Sequence, residues 1–354
     1  MTQPDVPAAV PAAAHVNAAP AALGPADRQR AKNAARGPIF PTSVPWVAVA
    51  VYVVIAFAGA WLVALPLWTS GEGLRHPLFG LITPAMMFMP ALATLIVVLW
   101  VKRPASIPRY LGLSPMRPAG RTWLFIALGF VFFTALPFVA MLLGDVMGLL
   151  RLDLSGLSGV QAAIDASGGQ GGSGGLDAAA VVALNLALLP FVTALNCVAT
   201  FGEEIGWRGW LLPSLRPLGT VWALIVSGVI WGLWHAPLIL LGYNYQRTDV
   251  LGLASMVAFC VLTGFVIGWL RLRSASVWPA VVAHAAINTA TAQFLLLADA
   301  DSLADPAGLW GNVLGWPGWI LLLVAIVVIV ATGQLRTQPQ PGLTLAESQV
   351  GRSV

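Results

Sequence analysis

From Trp46 to Thr332 the chain alternates between long apolar runs and short polar breaks, with no sustained period-2 alternation that would suggest strands. A hydrocarbon layer of ~30 Å takes roughly 20 residues of helix. Runs of that order predict spans at 46–68, 79–101, 122–144, 178–202, 219–241, 250–270, 276–297 and 309–332. The fold expected is all-α, a polytopic membrane bundle of about eight helices. Residues 1–45, rich in Ala and Pro with scattered basic side chains, lack the apolar residues for a core and read as a disordered tail. Arg28, Arg30, Lys32 and Arg36 precede a full-length span, not the short apolar stretch of a secretory signal. The expected division is a tail over 1–45, an integral membrane domain over 46–332 and a polar tail over 333–354.

Composition strengthens this picture. Hydrophobic residues make up 58% of the chain and charged residues 9%, against about 25% charged in soluble domains. Of the 18 Lys and Arg, all but Arg75, Arg151 and Arg247 fall on one side of the eight-span threading, while Asp299, Asp301 and Asp305 fall on the other. Basic residues stay on the cytoplasmic side, so both termini are expected there, in a multi-pass protein of the cell membrane. The basic balance reflects this anchoring and implies no nucleic-acid partner. Cys197 and Cys260 lie inside apolar runs and read as small core residues.

Two soluble-enzyme patterns occur without their required setting. The loop Ser167–Gly175 matches G-x-G-x-x-G through Gly169, Gly171 and Gly174, and G-x-S-x-G through Gly171, Ser173 and Gly175. No strand-turn-helix unit surrounds them, and Gly/Ser repetition generates such matches freely. The zinc-protease pattern H-E-x-x-H is absent.

Ionisable groups inside spans are costly in lipid and mark function by default. Here they are Glu203, Glu204 and Arg208 near the end of the fourth span, His235 in the fifth, and His284, with Asn288 four residues on, in the seventh. If the fourth helix runs on through Ile205–Leu212 to a turn at Ser214–Gly219, Glu203 stands roughly 20 Å above that turn and His235 roughly 27 Å up the returning helix. His284 and Asn288 stand roughly 16–22 Å above Arg271 and Arg273. Tilt absorbs the differences, and the groups converge at one depth. Glu204 and Arg208, at i and i+4, should form a structural ion pair. Glu203 has Trp207 four residues on, so it reads as the unpartnered carboxylate and the candidate base. Asn196 is a supporting candidate on nearly the same face, whereas Trp207, Trp210, Trp231 and Trp234 read as packing or interfacial residues.

Three patterns on successive spans, Glu203-Glu204-x-x-x-Arg208, Trp231-x-x-x-His235 and His284-x-x-x-Asn288, resemble the motifs of the CPBP intramembrane proteases, which include the CAAX prenyl-protein endopeptidases and bacteriocin-immunity relatives. The resemblance covers about residues 177–298. Its one departure is Trp231, where the family commonly has Phe. It implies peptide-bond hydrolysis in the membrane, with Glu203 and His235 activating water and His284 and Asn288 at the oxyanion. A membrane-associated protein or peptide is then the substrate. Glu203, His235 and His284 also make a plausible zinc set with an open position for water, so a zinc mechanism and a metal-independent glutamate mechanism both stay open. The competing class is a non-enzymatic protein of the bacteriocin-immunity or peptide-binding type.

Overall fold

A computed structural model describes residues 24, 25, 27, 28, 39–167, 173–305, 308–336 and 338–342. The chain divides into Met1–Pro38 and Ile39–Val354. Most of the expected N-terminal tail, the glycines Gly169 and Gly171 of the Gly-rich loop and the last twelve residues of the expected C-terminal tail lie outside the described residues. In the first unit only one turn is described, in which the Arg28 N–H meets the Gly24 carbonyl at 2.9 Å.

Within Ile39–Val354 the eight predicted spans all fall on helices: α1 (Trp46–Thr69), α2 (Phe79–Val101), α3 (Ala119–Val146), α4 (Ala178–Leu218), α5 (Thr220–Trp234), α6 (Val250–Ser274), α7 (Trp278–Leu297) and α8 (Gly308–Ala331). Among the described residues the extended pairing is confined to a single bridge between Leu152 and Ala298. Large apolar side chains remain exposed along the outer faces, such as Phe191 at 62% and Val198 at 66% in α4. In water a surface of that kind would aggregate, and against lipid it is solvated. Asp177 and Asp249 start α4 and α6 by accepting from the backbone N–H of Ala180 and Gly252, which satisfies donors the first turn leaves open.

The connections sort onto two ends. At one, the Trp68 indole donates to the Pro237 carbonyl at 2.9 Å, Tyr243 packs on Phe79, the Tyr245 hydroxyl donates to the Leu314 carbonyl, and Arg151 pairs with Asp299 at 2.9 Å. At the other, Tyr110 and Ser214 share a hydrogen bond of 2.7 Å and the Val277 N–H meets the Gly112 carbonyl at 3.0 Å. Burial pushes the Tyr110 phenol up to about 12, so it stays protonated at neutral pH. Alternation between the two ends is what eight traverses require.

Helices α4 and α5 depart from regularity directly beside candidate residues, and α2 does so away from them, through a π-helical segment at Val97–Val101. Helix α4 passes directly after Glu203-Glu204 into a π-helical segment, Ile205–Leu211. Such wide turns are uncommon and concentrate at functional positions. Gly206 lets this segment approach its neighbours, since a Cβ there would come within 2.5 Å of both Pro90 and the Tyr52 hydroxyl. The sequence-based continuation to a turn near Gly219 holds, but a regular helix does not.

Helix α5, at 15 residues, is too short to cross alone, because about 1.5 Å per residue gives roughly 22 Å. Pro237 cannot donate to the carbonyl four residues back, and its ring crowds that carbonyl. The chain turns at His235 and resumes as Ala236–Ile239, which completes the passage. Gly228 and Gly232 draw α5 against α6, where an added Cβ would sit 2.7 Å from the Val261 Cα and 2.5 Å from the Val257 Cα. Small residues four apart are a standard device for close packing in membranes. Gly232→Ala should therefore force the helices apart and destabilise the protein by about 1–3 kcal/mol, seen as a lowered thermal-shift midpoint in detergent.

Candidate active site

Glu203 and Glu204 end the α-helical part of α4, and the wide turn that follows carries Trp207 and Arg208 over them. Both carboxylates are buried, at 2% and 0% exposure. Glu204 Oε1 accepts from Arg208 at 2.7 Å and from His284 Nδ1 at 2.9 Å. The expected Glu204–Arg208 pair is present, and the seventh helix joins it through His284. Glu204 Oε2 has no hydrogen-bond partner among the described residues.

Glu203 is not the unpartnered carboxylate the spacing predicts. Its Oε2 accepts from the Trp231 indole at 2.7 Å and from the Trp207 indole at 3.2 Å. An i, i+4 charge spacing reveals charged partners only, whereas a buried carboxylate is also satisfied by neutral N–H donors. Trp207 and Trp231, read as packing residues, are therefore hydrogen-bond donors. Trp210 and Trp234 are buried too, Trp210 stacked on Tyr52 and Trp234 donating to the Ala56 carbonyl. All four are buried within the protein.

Trp231 is the meeting point. The Arg208 guanidinium lies 4.2 Å over its ring, and the rings of His284 and His235 stand edge-on to it at centroid distances of 5.2 and 5.7 Å. One indole from α5 thus touches Glu203 and Arg208 of α4, His284 of α7 and His235 at the break in its own helix.

The break also sets the orientation of His235. The His235 N–H bonds three residues back, to Gly232, which releases the Trp231 carbonyl from its usual partner four residues on. The His235 ring takes that carbonyl through Nδ1 at 2.8 Å. A carbonyl only accepts, so Nδ1 carries the proton and Nε2 presents a lone pair. Cys260, a free thiol on α6, lies 3.9 Å from the same Nδ1.

Asn288 departs from the expected cluster. It is exposed and its side chain makes no hydrogen bond among the described residues, so three of the four candidates are gathered on Trp231 and the fourth lies one turn along α7. Asn196 binds the neighbouring Thr289 at 3.4 Å, joining α4 to α7. Sequence reasoning also missed Arg271, which is buried and donates to the Arg208 carbonyl at 3.1 Å and to the Tyr110 carbonyl at 3.0 Å. Its signal was a charge just inside the end of a span. As zinc ligands, Glu203, His235 and His284 fit poorly. One Glu203 oxygen already accepts two N–H groups, and no three His, Cys, Asp or Glu side chains among the described residues are gathered to hold a metal ion.

Fold and site together define a polytopic helical membrane protein with an ionisable cluster shared by three spans. Residues 185–290 match the family model of the type II CAAX prenyl endopeptidases, Rce1-like. Over 107 residues the chain is 34% identical to the CAAX prenyl protease 2 of Methanococcus maripaludis, a match that covers 28% of this chain and 39% of that protein. This segment, which carries all three motifs, is similar to the CAAX proteases. It spans about two fifths of the length of the curated relative it matches.

Proposed function

We propose that the protein is an intramembrane endopeptidase that hydrolyses a peptide bond near the C-terminus of a membrane-anchored protein or peptide, as the name of its archaeal relative suggests. The observation that supports this most is a buried carboxylate, Glu203, held by two indole N–H groups, with both histidines against one of those indoles. Amide hydrolysis needs a base for water, a stabiliser for the oxyanion and a proton for the leaving amine. Glu203 takes the proton from water while the lone pair on His235 Nε2 holds that water in place. His284, held at its Nδ1 by Glu204, stands at the oxyanion. Asn288 adds a neutral donor from the open side of α7. The proton on Glu203 then passes to the leaving nitrogen.

No metal takes part in this proposed reaction. The test is cleavage of a lipidated peptide by detergent-purified protein, with metal content measured beside it. Cleavage that persists through chelation supports the proposal, whereas chelation that removes activity and zinc that restores it would replace the glutamate mechanism. Binding of such a peptide without any cleavage would favour an immunity or peptide-binding role.

Orientation is part of the same reading, with both termini and the Tyr110–Ser214 end in the cytoplasm. A cysteine at Ser173, introduced with Cys197 and Cys260 replaced by alanine, should react with an impermeant maleimide in intact cells. Labelling only after lysis would reverse the orientation.

A further inference from the structure

We infer that Trp231 is a positioning residue for the reaction, its indole N–H fixing which oxygen of Glu203 faces the scissile bond. The inference rests on the reading of Glu203 as the base. Oε2 receives both indole N–H groups, at 2.7 Å from Trp231 and 3.2 Å from Trp207. A carboxylate oxygen has two in-plane lone pairs, and here both are occupied. Oε1 accepts from no described residue and is the oxygen that takes the proton from water.

The two indoles differ in what they can fix. Trp207 lies on the same helix as Glu203, four residues on, and so cannot set the carboxylate against the histidines. Trp231 comes from α5, the helix that ends at His235, and its ring also meets His284. Among the described residues it is the one side chain bonded to the carboxylate that also touches both histidines. Its own place is well determined: it is 2% exposed, lies beneath the Arg208 guanidinium at 4.2 Å, and adjoins Gly232, whose contact with Val257 leaves no room for a Cβ. The last torsion of a glutamate is otherwise broad. Without the Trp231 N–H the carboxylate pivots on its remaining bond to Trp207, and Oε1 drifts from the water that His235 holds.

Trp231→Phe keeps an aromatic face for Arg208 and edges for the histidines and removes the N–H. A misplacement of about 1 Å costs on the order of 100-fold in rate, so kcat should fall on the order of 10–100-fold with KM unchanged. A role confined to packing would lower the thermal midpoint without that split. The second readout needs no substrate. In protein labelled with ¹⁵N-tryptophan, the Trp231 indole cross-peak, assigned by its loss in Trp231→Phe, should move more than any other indole peak in Glu203→Gln, because its acceptor loses its charge. Wild-type kcat in Trp231→Phe, or an unmoved cross-peak, would overturn the assignment. If Glu203→Gln itself cleaves at the wild-type rate, the base is misassigned and this inference falls with it, whereas a dead Glu203→Gln beside a fully active Trp231→Phe removes only the role of Trp231.

Discussion

Glu203→Gln is expected to lose cleavage by about 10²–10⁴-fold, the usual contribution of a positioned general base, while its thermal midpoint stays near wild type. The physical reason lies in which oxygen is used for what. Glutamine keeps a carbonyl oxygen that accepts from Trp231 and Trp207, so the indoles remain satisfied. The other terminus becomes an amide nitrogen, which cannot take a proton from water. A peptide-cleavage assay run beside a thermal-shift assay on the purified variant reads both quantities. Full activity would remove Glu203 from the chemistry, and a collapse in stability would make the activity loss uninformative about its role.

Arg208→Ala should show the opposite profile, with a stability loss of about 3–5 kcal/mol, typical when one partner of a buried ion pair is removed. Arg208 is 1% exposed and Glu204 0%. Removing the guanidinium leaves a buried carboxylate with His284 as its remaining partner and takes away the cation over the Trp231 ring. Glu204→Gln strands Arg208 in the same way. Activity is expected to fall in both largely because the folded population falls, with a smaller loss per folded molecule because Glu204 also holds His284 and Arg208 lies over Trp231. A Glu204→Gln protein that is as stable as wild type yet inactive would place the second glutamate in the reaction.

The spans were legible because lipid imposes one simple rule, a run of apolar residues long enough to cross, which seven helices among the described residues obey and α5 meets only in part. Irregular backbone left fainter marks. Pro237 announced a break in α5, and the consequence for His235, a carbonyl released to its own ring, needed the coordinates. The π segment of α4 has no sequence code beyond glycines at 206 and 209, and glycine in a membrane helix has many other uses. For the site, spacing found Glu204–Arg208 because both partners lie on one helix at i and i+4. It missed the bond from Trp231 to Glu203 because those residues are 28 positions apart on different helices. Trp207 was visible at i+4 and was passed over because tryptophan in a membrane protein usually means packing. Depth along a helix was readable and azimuth was less so: Asn288 lies one turn, about 6 Å, from His284 and is exposed, since a four-residue step also turns the side chain about 40°.

The central claim is that Glu203 activates water and does not itself attack the peptide. Single-turnover cleavage in H₂¹⁸O with enzyme in excess, read by mass spectrometry, tests this most directly. With Glu203 as a base, the new carboxyl group of the product carries one ¹⁸O and the Glu203 peptide recovered from the protein carries none. Absence of cleavage, or unlabelled product with ¹⁸O in the Glu203 carboxylate, would contradict the account.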